Sequence, residues 1–139
     1  MEAETFVLKL REKGYKVTPQ RIAIFEAIIN NQDHPTADQI YQRVSKKYPT
    51  ISIATIYHAL HLLTKLGLLL ELKFSEMSSR FDPNLSPHIN VICPNCGEIY
   101  DYEVKSIETF WSQIASELGK KPAALRFDFY TICNKCSKL

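Results

Sequence analysis

The chain has 139 residues, of which 45% are hydrophobic, and its 17 Lys and Arg against 15 Asp and Glu give a formal net charge of +2. This length allows one domain or two small ones, and the near-neutral charge excludes nucleic-acid binding through bulk charge alone. No apolar run predicts a membrane span or a secretory segment, so we expect a cytoplasmic protein without a membrane partner.

The first half of the chain carries the start and stop signals of four helices. Thr18-Pro19, Thr36 and Ser52 are N-cap signals, and Gly14 and Gly67 are stop signals. They predict helices at 4–13, from Thr18, from Thr36 to about 47, and from Ser52 to Gly67. Apolar residues at helical spacing predict the buried faces of the second and fourth helices: Ile22, Phe25, Ile28 and Ile29, and Ile53, Ile56, Leu60 and Leu63.

A two-stranded hairpin is predicted after the fourth helix. Residues 68–74 and 80–82 read as strands on either side of a polar turn at 75–79. Three helices followed by such a hairpin are typical of a winged helix-turn-helix, whose recognition helix enters the major groove of DNA.

Candidate DNA contacts lie in the basic segment near the second helix and on the polar face of the fourth. A solvated helix face is the alternative for the basic segment, a core aromatic for Tyr57 and an ordinary surface imidazole for His58. The candidates are Lys13, Tyr15, Thr18, Arg21, Ser52, Ala54, Thr55, Tyr57 and His58.

The second half begins after a linker-like segment at 83–87, and most of its hydrophobic residues alternate with a period of two, as in strands. Residues 88–93 and 97–104 alternate like strands, and alternation returns at 125–129. Between them, residues 106–118 predict a helix with an apolar stripe of Ile107, Phe110, Trp111, Ile114 and Leu118. We therefore expect an α+β protein with a winged-helix domain at 1–82, a hinge at 83–87 and a small α/β domain at 88–139. A unit this small rarely stands alone, so we expect help from a metal and from a second copy in a homodimer.

Every cysteine of the chain belongs to a Cys-x-x-Cys pair. Four thiols in two such knuckles, at Cys93 and Cys96 and at Cys133 and Cys136, suit a tetrahedral Zn²⁺. Four thiolates leave no position for water, so the zinc would be structural, and two disulfides are the alternative. Thirty-six residues separate the pairs, enough for a strand, a helix and another strand that the zinc would close into one subdomain.

A second group of potential ligands contains imidazole and oxygen donors. Alternation puts His88 and Asn90 on one face of a strand, and the hairpin returns Asp101 opposite them. Asp82 and His34 would join them if the two halves fold onto each other. Such a donor set suits Fe²⁺ or Mn²⁺, although a turn histidine and solvated carboxylates are the alternative.

Five motifs together resemble the ferric uptake regulator family over nearly the whole chain. They are Thr18-Pro19-Gln20-Arg21, His34-Pro35-Thr36-Ala37-Asp38-Gln39-Ile40-Tyr41, Ile53-Ala54-Thr55-Ile56-Tyr57, Arg80-Phe81-Asp82 and the knuckle from Cys93 to Gly97. The resemblance implies a dimeric, metal-dependent, DNA-binding repressor with an N-terminal winged helix and a C-terminal dimerisation domain.

The resemblance also implies roles for individual positions. The four cysteines match structural zinc ligands, and His34, Asp82, His88 and Asp101 match regulatory metal ligands, with the two aspartates similar to the peroxide-sensing branch. Two positions depart from the family pattern: Asn90 stands where histidine is usual, and His58 where arginine is usual.

The functional hypothesis is a repressor of a double-stranded DNA operator with hydrogen peroxide as its signal. Resemblance implies that bound Fe²⁺ reduces peroxide and that His34 or His88 gains oxygen. The alternatives are an iron- or manganese-responsive repressor that ignores peroxide, and a general transcription scaffold that senses nothing. The sequence contains neither a phosphate-binding loop nor a nucleophile-and-base signature, so we do not expect an enzyme.

Overall fold

A computed structural model describes residues 2–138 of the chain. Internal contacts divide the chain into two units, Met1–Leu85 and Ser86–Leu139, and each is described by itself. Among the helices of residues 2–138, none combines the length and the apolar character that a membrane span requires.

The N-terminal unit contains four helices and one β-hairpin. Antiparallel pairing joins the two strands of the hairpin, with Glu71 opposite Phe81. In chain order the elements are α1 (Ala3–Glu12), α2 (Pro19–Ile29), α3 (Ala37–Ser45), α4 (Ile53–Lys65), β1 (Leu70–Leu72) and β2 (Arg80–Asp82). The predicted winged-helix arrangement is confirmed.

The three predicted N-caps all make the expected hydrogen bonds. The hydroxyls of Thr18, Thr36 and Ser52 each accept from the backbone N–H three residues further on. Gln39 also accepts from the Thr36 backbone N–H at 2.9 Å, which completes a capping box. These caps fix where α2, α3 and α4 begin.

The core of the N-terminal unit lies among its four helices. Phe6 and Phe25 stack with ring centroids 4.1 Å apart. Three residues predicted in the buried stripes are less buried than expected: Ile53 is 38% exposed, and Ile22 and Ile29 are only partly buried, whereas Ile24, which was not predicted in the stripe, is fully buried. Ile53 is the first residue of α4, where the helix has not yet reached the core.

The hairpin of β1 and β2, which forms the wing of the winged-helix fold, is shorter than the predicted hairpin. Strand β1 starts at Leu70 instead of residue 68, because Leu68 and Leu69 are buried in the helical core rather than paired in the ladder. Helix α3 ends at Ser45, two residues before the predicted end.

The C-terminal unit is a three-stranded mixed sheet with one long helix. Strand β3 is central and pairs antiparallel with β4 and parallel with β5. The elements are β3 (Ile89–Ile92), β4 (Ile99–Tyr102), α5 (Lys105–Leu118), β5 (Asp128–Tyr130) and α6 (Asn134–Ser137). A strand, a helix and a strand separate the two cysteine pairs, as their spacing predicts.

Three details of this unit differ from the sequence-based expectation. Strand β5 begins at Asp128 rather than at residue 125, and the short helix α6 was not predicted. Of the apolar stripe predicted on α5, only Ile107 is buried, while Phe110 is 47% and Leu118 is 67% exposed. The sheet is too small to cover that whole face.

Candidate metal centres and nucleic-acid face

The four cysteine sulfurs form one cluster in the C-terminal unit. All of them lie within 4.8 Å of one another, and no disulfide joins them. The Sγ atoms of Cys96 and Cys133 are 3.8 Å apart. This matches the edge of about 3.8 Å expected for a tetrahedron of thiolates about 2.3 Å from a zinc ion. The cluster therefore fits Zn²⁺ and disagrees with the disulfide alternative.

Local structure at each knuckle turns two sulfurs toward the same point. After β3, the N–H of Gly97 donates to the carbonyl of Cys93 at 2.9 Å, and Gly97 has a φ of 77°, which glycine adopts without strain. In the second knuckle the N–H of Ser137 donates to the carbonyl of Cys133 at 2.9 Å, which closes the single turn of α6.

The thiols of this cluster differ in acidity. Backbone N–H groups of Cys133 and Cys96 donate to the Cys93 sulfur and lower the pKa of that thiol to about 6. The Asn95 side chain lowers the pKa of Cys136, but hydrogen bonding with Cys133 and burial outweigh it and raise that pKa to about 12. Without metal, the cluster therefore already holds a thiolate at Cys93 at neutral pH.

A group of acceptor atoms converges around His88 in the C-terminal unit. Its Nε2 lies 3.1 Å from Asn90 Oδ1 and 3.5 Å from Asp101 Oδ1. Its Nδ1 lies 2.7 Å from the carbonyl of Ser86, which accepts only if Nδ1 carries the proton. When Nε2 carries no proton, its lone pair lies beside two oxygens, an arrangement that suits a cation.

The strand register brings Asn90 and Asp101 together. Asn90 on β3 is directly opposite Asp101 on β4, as the alternation predicts. His88 is 8% exposed and Asn90 is 2% exposed, so both polar side chains are withdrawn from solvent.

His34 and Asp82 form a second pair, within the N-terminal unit. The His34 Nε2 and Asp82 Oδ2 are 3.3 Å apart, and the side chains are 4% and 2% exposed. His34 precedes α3 and Asp82 ends β2. The N–H of Phe81 donates to the carbonyl of Pro35 at 3.0 Å and joins the two segments. This imidazole and carboxylate are the donor types that bind Fe²⁺ and Mn²⁺.

The loop that carries His34 is conformationally strained and held by arginines. His34 has a φ of 49° and Gln32 a φ of 47°, both in the left-handed region that costs free energy for residues other than glycine. Arg80 donates to the carbonyls of Asp33 and His34, and Arg43 pairs with the Asp33 carboxylate. Burial lowers the pKa of Arg80, while Asp33 raises it.

The polar face of α4 is open to solvent. Ala54, Thr55 and His58 are exposed, and Tyr57 is 54% exposed, which disagrees with a core aromatic. Ser52 accepts from the N–H of Thr55 as the N-cap. The face is therefore accessible to a large partner such as a DNA groove.

The other candidate DNA contacts cluster between α1 and α2. Lys13 is exposed at the C-cap of α1, and Thr18 caps α2. Arg21 donates to the carbonyl of Lys16, which ties the linking segment to α2. Tyr15 is half-buried against the helical core, so only part of its side chain is available to a partner.

The sequence model of the ferric uptake regulator family matches residues 12–130, most of the chain. The chain belongs to the ferric uptake regulator family. The fold and the motifs agree with this assignment, and the resemblance seen in the sequence is confirmed.

Two relatives and one solved structure illustrate the similarity. The Peroxide operon regulator of Bacillus subtilis (strain 168) is 40% identical over 129 residues, 93% of this chain and 89% of that protein. The Peroxide-responsive repressor PerR of Staphylococcus epidermidis (strain ATCC 12228 / FDA PCI 1200) is 38% identical over 138 residues, 99% and 91% of the two chains. The Campylobacter jejuni peroxide stress regulator superposes with a TM-score of 0.77 at 29% identity, covering 98% and 100% of the two chains.

Two residues near the candidate metal ligands were missed in the sequence. Asp128 accepts from the Asn90 amide at 3.1 Å, and Arg80 caps the turn at His34. A parallel pairing across α5 brings Asp128 beside Asn90. Sequence periodicity contains no signal for such a register, whereas Arg80 stood in a recognised motif without a role.

Proposed function

We propose that this member of the family is a metal-dependent, DNA-binding transcriptional repressor that senses peroxide through oxidation of an iron-bound histidine. The observation that carries the proposal is the convergence of His88 Nε2 with Asn90 Oδ1 and Asp101 Oδ1, an imidazole nitrogen and two oxygens of the donor types that suit Fe²⁺ or Mn²⁺. Similarity to proteins named as peroxide regulators supports the choice of signal.

The proposed regulatory ion is Fe²⁺ or Mn²⁺, and the proposed structural ion is Zn²⁺. His34 and Asp82 of the N-terminal unit and His88, Asn90 and Asp101 of the C-terminal unit would bind the regulatory ion. Imidazole and oxygen donors prefer these metals, whereas the four thiolates of Cys93, Cys96, Cys133 and Cys136 prefer zinc. The hinge would lie at 83–87, between domains at 1–82 and 88–139.

One ion held by both domains would set the angle between them. In the metal-bound form of a homodimer, two copies of α4 would then stand at the spacing of successive major-groove faces of an operator. Metal-free dimers would splay and lose that spacing. Exposed aromatics of the C-terminal unit, including Tyr100, Tyr102 and Phe129, provide apolar area for the dimer contact.

Peroxide would act on the histidines of the regulatory site. Fe²⁺ held by these residues would activate hydrogen peroxide close to its ligands: one peroxide oxygen would be added to an imidazole, the other would leave as water, and the imidazole would supply the two electrons. His34 and His88 would be the oxidisable ligands, and both are buried, so the reaction would take place at an imidazole that is withdrawn from bulk solvent. An oxidised imidazole binds the ion less well, and the repressor would leave its operator.

Mass spectrometry after brief peroxide exposure tests this proposal. The iron-loaded protein should gain one oxygen atom on His34 or His88 and lose operator affinity in parallel. The exposed His58 and His61 on α4 are internal controls and should remain unmodified. If neither His34 nor His88 is modified while DNA binding persists, the peroxide proposal is wrong.

A manganese- or iron-responsive repressor without peroxide sensing is the second candidate. It is favoured by Asn90, whose amide oxygen is a harder donor than the imidazole usual at this position and suits Mn²⁺. Operator binding that depends on Mn²⁺ or Fe²⁺ equally, and that peroxide does not change, would select this candidate.

A further inference from the structure

The side chain of Asn90 lies between two carboxylates on neighbouring strands. In the sheet register Asn90 is directly opposite Asp101 on β4 and Asp128 on β5. Residues that are paired in this way present their side chains on the same face of the sheet. The three side chains therefore form one row, with the amide in the middle.

Contacts on both sides define the orientation of the amide. Its Nδ2 donates to Asp128 Oδ1 at 3.1 Å, and its Oδ1 lies 3.1 Å from His88 Nε2. The opposite orientation would put the amide oxygen against the Asp128 carboxylate, where neither atom can donate. Asp128 therefore directs the amide oxygen toward His88.

The carboxylate of Asp128 is itself bound by two guanidinium nitrogens of Arg126. The Nε of Arg126 lies 3.1 Å and 3.0 Å from the two carboxylate oxygens, and its second guanidinium nitrogen is 2.8 Å from Oδ2. The side chains of Arg126 and Asp128 are 34% and 17% exposed. This bidentate pairing neutralises Asp128 and fixes the direction of its lone pairs.

We propose that Asp128 is a positioning residue that turns the oxygen of Asn90 toward the regulatory metal ion. The inference rests on the proposed function, because it concerns the same metal site. An acceptor behind the amide also makes its oxygen a better donor to a cation, which offsets part of the loss of the imidazole usual at this position. Asp128 would therefore affect metal binding only through the orientation of the Asn90 side chain.

Asp128→Asn provides a nearly isosteric test. Arg126 has only donors, so it retains the oxygen of the new amide and leaves the new NH₂ group facing Asn90. Asn90 must then turn its own oxygen away from His88 to accept that hydrogen bond. Asn90→Leu removes the amide oxygen altogether, and Glu103→Gln is the matched control because it removes one carboxylate charge at an exposed position of the same unit.

The experiment measures Mn²⁺ affinity and the visible spectrum of Co²⁺ in full-length, zinc-loaded protein. Asp128→Asn and Asn90→Leu should each weaken Mn²⁺ binding by about tenfold or more, and the double variant should be no weaker than Asn90→Leu. The Co²⁺ spectrum of Asp128→Asn should match that of Asn90→Leu, which reports a lost ligand rather than a damaged fold. Zinc content and thermal unfolding serve as the check on folding.

Each contrary result overturns a defined part of the account. Wild-type affinity in Asp128→Asn overturns the positioning role alone. A further loss when Asp128→Asn is added to Asn90→Leu also overturns it, because Asp128 would then act independently of Asn90. Failure of the wild-type protein to bind Mn²⁺ or Co²⁺ beyond its zinc overturns the proposed regulatory site as well.

Discussion

The guanidinium of Arg80 donates to the backbone carbonyl of His34, whose φ of 49° lies in the left-handed region. A second nitrogen of the same guanidinium donates to the carbonyl of Asp33 at 3.0 Å. Arg80 begins β2, the strand that ends at Asp82, so one strand carries both a candidate metal ligand and the residue that stabilises another ligand's turn.

Replacing Arg80 tests this relationship. We expect Arg80→Ala to destabilise the fold by about 1–3 kcal/mol, because two carbonyls of a strained turn lose a charged donor. Mn²⁺ affinity should fall with it. Urea unfolding of metal-free protein and calorimetric Mn²⁺ titration measure the two effects. Arg11→Ala, which removes the same charge from an exposed position of α1, should change neither.

Zinc affinity should depend steeply on pH. At pH 7 the thiols of Cys96, whose pKa is raised, and Cys136, whose pKa is about 12, carry protons that zinc must displace. At least about two protons therefore leave per zinc, so affinity rises by at least about a hundredfold per pH unit.

Below a pH of about 6 the dependence should become steeper, because Cys93 is then protonated in the metal-free protein and releases one proton more. Competition with a chelator across pH 5 to 8, together with proton release measured in buffers of different ionisation enthalpy, checks both slopes. An affinity that is independent of pH would contradict the assignment of the cluster as a tetrathiolate site.

Asn90→His should change the metal preference of the regulatory site. An imidazole in place of an amide oxygen favours Fe²⁺ over Mn²⁺, and we expect the ratio of the two affinities to rise by about tenfold, which corresponds to about 1.4 kcal/mol. Anaerobic competition between the two ions gives this ratio. Asn90→Gln, which retains the amide, is the control, and a histidine variant with an unchanged ratio would show that position 90 does not bind the ion.

His58→Arg should strengthen DNA binding and make it more sensitive to salt. A guanidinium on the exposed face of α4 adds about one phosphate contact, so the slope of log affinity against log salt should become more negative by about 0.9. Fluorescence anisotropy at several salt concentrations measures it. Ser112→Arg, which adds the same charge to an exposed position of α5, should leave the slope unchanged. Equal slopes in wild type and His58→Arg would remove α4 from the DNA interface.

Local signals in the sequence predicted most of the elements of the fold. Thr18, Thr36 and Ser52 mark helix starts through hydrogen bonds made within one turn, so no tertiary information is needed to find them. The burial of Ile24 rather than Ile22 could not be found in this way. It depends on how α2 is rotated against its neighbours, and the apolar residues of α2 surround too much of the helix to fix that rotation.

The same distinction between local and tertiary information applies to the candidate sites. Cysteine spacing indicated a metal cluster, since the ligands come in local pairs that one turn can close. The orientation of Asn90 by Asp128 depends on a parallel register between β3 and β5, and no local pattern determines that register. The hydrogen bond from Arg80 to the His34 carbonyl joins residues that are 46 positions apart. A sequence motif shows that both residues are present in the expected order, but it does not show that they are in contact.

Operator affinity measured with and without the regulatory ion tests the central claim most directly. Zinc-loaded wild-type protein should bind its operator much more tightly with Mn²⁺ than after selective removal of that ion, at fixed salt, and His34→Ala should lose this difference while retaining zinc. Equal operator affinity with and without Mn²⁺ in the wild-type protein would contradict the account.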